Sequence, residues 1–231
     1  VSLEIRNTKK DKAQPINVIV YGESGIGKTS LVKSLPNKEV LILSAEGGLL
    51  SLTDKEDMDG YDYVVVKSIV DVMKVLKQIE GLEYKTVAID SITELSQNHF
   101  TYLKKKYEVI AKEADKDVSA YGIKIWGDFL EDFSAMFKTL RDMRKNVLAI
   151  GLLREKEDET GMKFKQPDIY GKTAERIVAW FDECFYMYMS KENVRMFLTE
   201  KVNNIVAKDR SGKLEKTEPA IISDIFAKIR K

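Results

Sequence analysis

The sequence predicts an α/β fold: a mainly parallel sheet flanked by helices, with antiparallel strands at one edge. Three observations carry that prediction. Apolar strand-like runs alternate with helical stretches through the early part of the chain, which implies parallel strands joined by right-handed crossovers. The late runs 182–189 and 194–199 follow each other with only a short connection, which suits antiparallel additions at a sheet edge. Between the first run and the first helical stretch stands Gly22-Glu23-Ser24-Gly25-Ile26-Gly27-Lys28-Thr29. It matches the phosphate-binding loop G-x-x-x-x-G-K-[ST], which belongs between a strand and a helix.

The elements follow in order. Residues 16–21 read as a buried strand, 28–35 as a helix stopped by Pro36, and 39–44 and 62–67 as the next strands. In 69–80, Val72, Val75, Leu76 and Ile79 recur at helical spacing, so this helix buries one face. Strand 85–90, helices 91–111 and 122–144, strand 146–152 and helix 173–180 come next. The two late strands follow, then a further strand-like run at 201–208 and a last helix over 220–230. With no internal repeat or proline-rich linker, the 231 residues form a single domain, with 1–14 as an arm for flexibility or self-assembly.

Composition narrows the function. A net charge of +1 argues against a whole-molecule grip on nucleic acid but leaves room for local basic patches. One cysteine, Cys184, excludes an internal disulfide and fits a reducing cytosol; its apolar surroundings make it a core thiol. One histidine, His99, excludes a histidine metal cluster and leaves no obvious catalytic triad, so a structural or solvated role is expected. No apolar run approaches the length of a membrane span, and Val1 to Gln14 is too charged for a secretion signal.

The chemistry gathers at strand ends. In the phosphate loop, Gly22, Gly25 and Gly27 let backbone N–H groups wrap phosphate oxygens, with Glu23, Ser24, Ile26 and Ser30 completing the cradle. Lys28 reaches the β- and γ-phosphates of ATP, and Thr29 offers a hydroxyl to Mg²⁺. Thr86-Val87-Ala88-Ile89-Asp90 is an apolar strand ending in an acid. Asp90 there suits the Mg²⁺ water shell; the alternative is a cap for the next helix. A second apolar strand ends Ser44-Ala45-Glu46-Gly47-Gly48. Glu46 at that strand end would orient or deprotonate an attacking water, or else lie in solvent. Gly171-Lys172-Thr173 resembles a phosphate-loop tail, but Gln166 stands where the first glycine belongs; a helix cap is the better reading.

Together these residues resemble the RecA/RadA core, and more closely the short phage RecA-like ATPases of single-strand annealing and recombination, over about residues 16–210. The resemblance implies a RecA-like P-loop NTPase core. It makes Glu46 of Ala45-Glu46 the catalytic base and pairs Asp90-Ser91 with that group's Walker B ending. Most AAA-type ATPases carry their glutamate directly beside the Walker B aspartate, where this chain has Ser91. Strand 146–151 is followed by Gly151-Leu152-Leu153-Arg154 rather than a polar sensor, leaving Arg154 as the nearest candidate. Lys208-Asp209-Arg210-Ser211-Gly212 resembles the Lys-Asn-Arg-x-Gly element of RadA, in which Lys and Arg reach a neighbouring subunit's ATP; otherwise it is a charged turn.

The resemblance further implies single-stranded DNA binding by two loops, self-assembly into a ring or filament, and a single-strand-binding protein as a possible partner. One region holds Lys104-Lys105-Lys106-Tyr107 and the stretch Lys112 to Tyr121. The other, Arg154 to Lys172, offers Lys163, Phe164, Lys165, Tyr170 and Lys172, with Glu159-Thr160-Gly161 tipping a hairpin. Lysines would track phosphates and aromatics stack on bases; interleaved acids leave a solvated surface as the alternative. Trp126 and Phe129 read as core. Two other functions compete: a nucleotide-switched loader or regulatory ATPase without DNA, and a small-molecule kinase.

Overall fold

A computed structural model describes residues 14–53, 60–157, 159, 161–171 and 173–231, with backbone alone over 173–176. The N-terminal arm and Lys172 lie outside the described residues. The first strand, β1 (Asn17–Gly22), leads through the phosphate loop into a 3₁₀ turn, Thr29–Ser34. Then come β2 (Val40–Ser44), β3 (Asp62–Val65), α1 (Ile69–Ile79), β4 (Thr86–Asp90) and α2 (Ile92–Glu113). After α3 (Gly122–Asp142), β5 (Asn146–Glu157) and β6 (Lys163–Pro167) form a hairpin. The chain closes with α4 (Thr173–Trp180), β7 (Glu183–Met189), β8 (Arg195–Leu198), β9 (Lys208–Asp209), β10 (Thr217–Pro219) and α5 (Ile222–Arg230).

Among the described residues ten strands join in one sheet, in the order β10-β8-β7-β1-β5-β4-β2-β3, with β6 on β5 and β9 on β7. Strands β3, β2, β4, β5, β1 and β7 run parallel; β8, β10 and β9 are antiparallel additions on the β7 side. The predicted architecture is therefore the observed one.

Side chains alternate between the two sheet faces, as a two-residue period demands. Ile19 and Tyr21 of β1, Val87 and Ile89 of β4, and Val147 and Ala149 of β5 face a core built with α1, α2 and α3. Val18 and Val20, Ala88, and Leu148 and Ile150 face the opposite core, closed by Leu31, Val32 and the α5 residues Ile222, Ile225 and Phe226. Both faces are dry, so the strands read as continuous apolar runs rather than alternating ones. Each fully buried large side chain contributes about 1.5–3 kcal/mol.

Two predicted elements differ. The helix over 28–35 is only a 3₁₀ turn over Thr29–Ser34, ended before Pro36 with Leu35 N–H bonded to the Val32 carbonyl. The run 201–208 is not a continuous strand. Asn203 has φ +49°, and Ile205 N–H turns back to the Val202 carbonyl, leaving only Lys208–Asp209 as strand. His99 is fully buried rather than solvated. Its Nδ1 accepts from Ile69 N–H at the start of α1, which leaves Nε2 to donate to Asp132 of α3 at 2.9 Å. It ties three helices together, and burial holds its pKa below the usual value despite Asp132.

Candidate functional site

Three strand ends converge at the carboxyl edge of the sheet, where open α/β sheets bind ligands. Gly22 ends β1 because its position admits no side chain: a Cβ there would lie 2.6 Å from the Met187 carbonyl oxygen. The loop then turns through Gly25 at φ +78° and Gly27 at φ +93°, conformations that favour glycine. Glu23, Ser24 and Gly25 are exposed, Ile26 leans on the second core, and Ser30 is half-buried.

Lys28 is buried within the loop it belongs to. Its Nζ donates to the carbonyls of Gly22 at 3.0 Å and Glu23 at 2.6 Å, so the ammonium braces the loop from inside. Burial lowers its pKa, against the opposing pull of Asp90, Glu46 and Glu23. Thr29 Oγ1 donates to Asp90 Oδ2 at 2.7 Å across the gap between β1 and β4. Asp90 is itself buried, and its pKa is raised by that burial and lowered by the Thr29 hydrogen bond.

Glu46 lies two residues beyond β2. The register pairs Ser44 with Asp90, and Ala45 N–H donates to the Asp90 carbonyl at 2.8 Å. Gly47, at φ +72°, turns the chain back so that its N–H reaches Ser44 Oγ. The Glu46 carboxylate accepts from Ser91 Oγ, whose oxygen also accepts from Glu94 N–H and so caps α2. Ser91 thus does two jobs that the sequence reading did not separate, although Ser91-Ile92-Thr93-Glu94 carries the S-x-x-E capping signature.

The donor set suits a nucleotide with Mg²⁺. One hydroxyl and one acid beside a phosphate cradle are what Mg²⁺ uses when it keeps its waters, so no dense ligand cluster is called for. Thr29 and Asp90 would hold the ion and Lys28 the phosphates; the bound ion would screen the phosphate charge. The partly buried Thr29–Asp90 hydrogen bond shows the two groups already facing each other.

The other predicted residues sit elsewhere. The β5–β6 hairpin extends past the end of β1, since Gly22 pairs with Leu152 and β5 continues to Glu157. Gly161, at φ +82°, lies between its strands. Lys163 is exposed opposite Glu157; Phe164 and Lys165 are half-buried. Lys165 Nζ lies 3.9 Å from Glu155 and 5.5 Å from the Tyr186 ring centre. Arg154 is an exposed strand residue opposite Gln166. Lys104, Lys105 and Lys106 are exposed on α2, while Tyr107 is buried with its hydroxyl on Asp128 at 2.7 Å. Phe129 is core, as expected. Trp126 is not: it is 38% exposed, stacked on Tyr170 at 5.4 Å and packed where a Gly171 side chain would stand.

Lys208 and Arg210 lie at the opposite end of the sheet. Strand β9 pairs Lys208 with Cys184 and Asp209 with Glu183, level with Val18 at the start of β1. Lys208 Nζ donates to the carbonyls of Val178 at 3.0 Å and Phe181 at 2.5 Å, closing the end of α4. Arg210 Nη1 pairs with Asp182 at 3.0 Å. Cys184 is a buried thiol whose pKa is pushed up to about 12, chiefly by that burial.

Among the described residues no helix is long and apolar enough to cross a membrane. A search of curated proteins finds no match to the chain. A protein-family model described as an AAA domain matches residues 14–211, which takes in the phosphate loop, Glu46, Asp90 and Arg210, and the chain belongs to that family of P-loop ATPases.

Proposed function

We propose that the chain is a Mg²⁺-dependent ATPase of the phage RecA-like recombination type, which binds single-stranded DNA and promotes annealing or strand pairing. Lys28 grips the β- and γ-phosphates while Thr29 and Asp90 hold the ion. Glu46, held by Ser91, takes a proton from the attacking water. Its carboxylate comes from the neighbouring strand end and not from the residue after Asp90, which is the RecA arrangement the sequence resembles.

The observation that carries the DNA part is the shared strand β5. Its first half pairs with β1 and β4 in the ATPase sheet, and its second half is one arm of the basic hairpin. Nucleotide and DNA would therefore bias one continuous element. Lys163 and Lys165 track the DNA backbone, and Phe164 supports stacking. The test is ATPase rate and oligonucleotide anisotropy with and without single-stranded DNA. Wild type is expected to bind DNA with a marked salt slope and to hydrolyse faster with DNA present. Lys163→Ala with Lys165→Ala should weaken DNA binding and flatten the slope by about one to two units while leaving ATP binding intact. Unchanged affinity and slope would remove the hairpin from the DNA surface.

A second reading keeps the ATPase and drops the DNA: a loader or regulatory ATPase switched by nucleotide. The acids of the hairpin favour it, since Glu155 lies 3.9 Å from Lys165 and Glu157 stands opposite Lys163. An ATPase rate indifferent to DNA selects this reading.

A further inference from the structure

The phosphate loop has a neighbour that the site described so far leaves out. Arg195 opens β8, paired with Met189, the last residue of β7. Because Gly22 pairs with Met187, this register lifts Arg195 above the end of β1, level with the loop. Its guanidinium packs against Gly27: a Cβ built there would lie 2.7 Å from Cζ, 2.9 Å from Nη2 and 3.0 Å from Nε. Gly27 is favoured by its φ of +93°, and the space a side chain would take there is occupied by the end of the Arg195 side chain.

The charge balance makes the contact informative. Arg195 is exposed, and its side chain makes no hydrogen bond or ion pair with any described residue. It nevertheless lies beside a loop that carries the Lys28 ammonium, and while Asp90, Glu46 and Glu23 act on Lys28, Arg195 has no acid within ion-pair distance among the described residues. An anion in the loop would supply that missing partner. The position also says which part of the anion. Asp90 and Glu46 sit on β4 and beyond β2, on one side of β1; Arg195 comes from β8, on the other. The γ-phosphate must face the side with Asp90, Thr29 and Glu46. The rest of the nucleotide leaves the loop on the side away from them.

We propose that Arg195 is a nucleotide-binding residue of the same chain, whose guanidinium grips the α- and β-phosphate end of ATP or ADP from the β8 side. The proposal rests on the nucleotide-binding reading of the phosphate loop. A group that touches phosphates common to ATP and ADP contributes equally before and during hydrolysis, so it lowers KM without raising kcat.

The experiment measures Mg-ATP and Mg-ADP affinity and steady-state hydrolysis for wild type, Arg195→Ala, Arg195→Lys and Lys28→Ala. Circular dichroism confirms that each is folded. Arg195→Ala is expected to weaken both nucleotides by about 10-fold or more, the usual cost of one charge-assisted phosphate contact, and to raise KM in parallel. Its kcat at saturating ATP should stay within about twofold. Arg195→Lys should recover part of the loss, since it keeps the charge without the fork. Unchanged affinity for both nucleotides would return Arg195 to a surface strand residue. A fall in kcat with affinity intact would overturn the proposal differently, by making Arg195 a transition-state cation on the γ side. If wild type and Lys28→Ala alike fail to bind nucleotide, the phosphate-loop reading itself fails and Arg195 falls with it; nucleotide bound by wild type but not by Lys28→Ala isolates the Arg195 result.

Discussion

The two ends of the parallel sheet hold nearly the same inventory of side chains and use it in opposite ways. At the carboxyl end stand Lys28, Thr29, Asp90, Glu46 and Arg195; at the amino end stand Lys208, Arg210, Asp182, Glu183 and Asp209. The amino end closes on itself. Lys208 caps the α4 carbonyls, Arg210 pairs with Asp182, and Asp182 also accepts from Asn17 N–H at 3.1 Å. Asp209 takes the N–H groups of Gly212 and Leu214, and Glu183 those of Arg210 and Ser211. The carboxyl end is left open: Glu46 and Arg195 are exposed, beside turns that Gly25, Gly27 and Gly47 make at positive φ. The difference teaches that charge at a strand end is no mark of function by itself. What separates the two ends is that the carboxyl end keeps an exposed acid and an exposed cation, Glu46 and Arg195, around a glycine-rich loop, whereas the acids and cations of the amino end are engaged with one another and with their own backbone.

The sharpest way to break this comparison is Arg210. Its ion pair with Asp182 is partly exposed, so in an isolated subunit Arg210→Ala should change stability by about 1 kcal/mol or less. The proposed role in trans requires more. We propose, following the resemblance to RadA, a head-to-tail ring or filament in which the amino end of one subunit would face the carboxyl end of the next and Arg210 would stabilise charge on the neighbour's γ-phosphate. Arg210→Ala should then bind ATP nearly normally and lose about 10³-fold in hydrolysis. Mixing it with Lys28→Ala should restore part of the activity, because mixed assemblies contain interfaces with both groups intact. No recovery despite demonstrated co-assembly would leave Arg210 as a local ion-pair residue and the amino end as purely structural.

Glu46 is the next largest effect. Glu46→Gln keeps the shape and the hydrogen bond from Ser91 but removes the basicity. Hydrolysis should fall by about 10²-fold or more with ATP binding retained, as read by single-turnover kinetics beside nucleotide titration. A loss below about threefold would transfer the base to another acid. Ser91→Ala sharpens the point: freeing the Glu46 carboxylate should lower kcat by a smaller factor while leaving KM in place.

How much of this was legible in the chain depends on how local each feature is. Strand order and the antiparallel edge follow from runs that alternate early and crowd late. The phosphate loop and the ends at Asp90 and Ala45-Glu46 are readable because each strand and its functional residue are adjacent in sequence. Arg195 is not, for its contact with Gly27 is set by the Met189–Arg195 register of a hairpin folded back more than a hundred residues downstream. Trp126 reads as core from helical spacing, but Gly171 and Tyr170, far along the chain, give it a half-exposed berth. Lys208 reads as a free cation in a charged stretch. That its amine turns inward depends on where α4 ends, which no local pattern fixes.

The smallest effect tests the closed end through its protons. Glu183 is buried beside Asp209, and burial first, then the charge and hydrogen bond of Asp209, push its carboxyl up to about 8. Near neutrality the folded chain therefore keeps a proton there that the unfolded chain, with a carboxyl near 4.5, releases. A folded pKa above the unfolded one gives stability that is full below 4.5, declines as pH rises, and levels off above 8. His99 works in the other direction: its pKa is lowered from 6.5 by burial, so its contribution is lost as pH falls below that value. The clean window lies between about pH 6.5 and 8, where Glu183 dominates. Denaturant unfolding of wild type across it should lose on the order of 1 kcal/mol. Glu183→Gln should remove that slope, because the amide cannot ionise; its single oxygen keeps only one of the N–H groups of Arg210 and Ser211, so the variant should start from a lower but pH-flat stability. Equal slopes in the two proteins would mean that Glu183 is ionised in the fold, and that the amino end is held by separate charges and not by a shared proton.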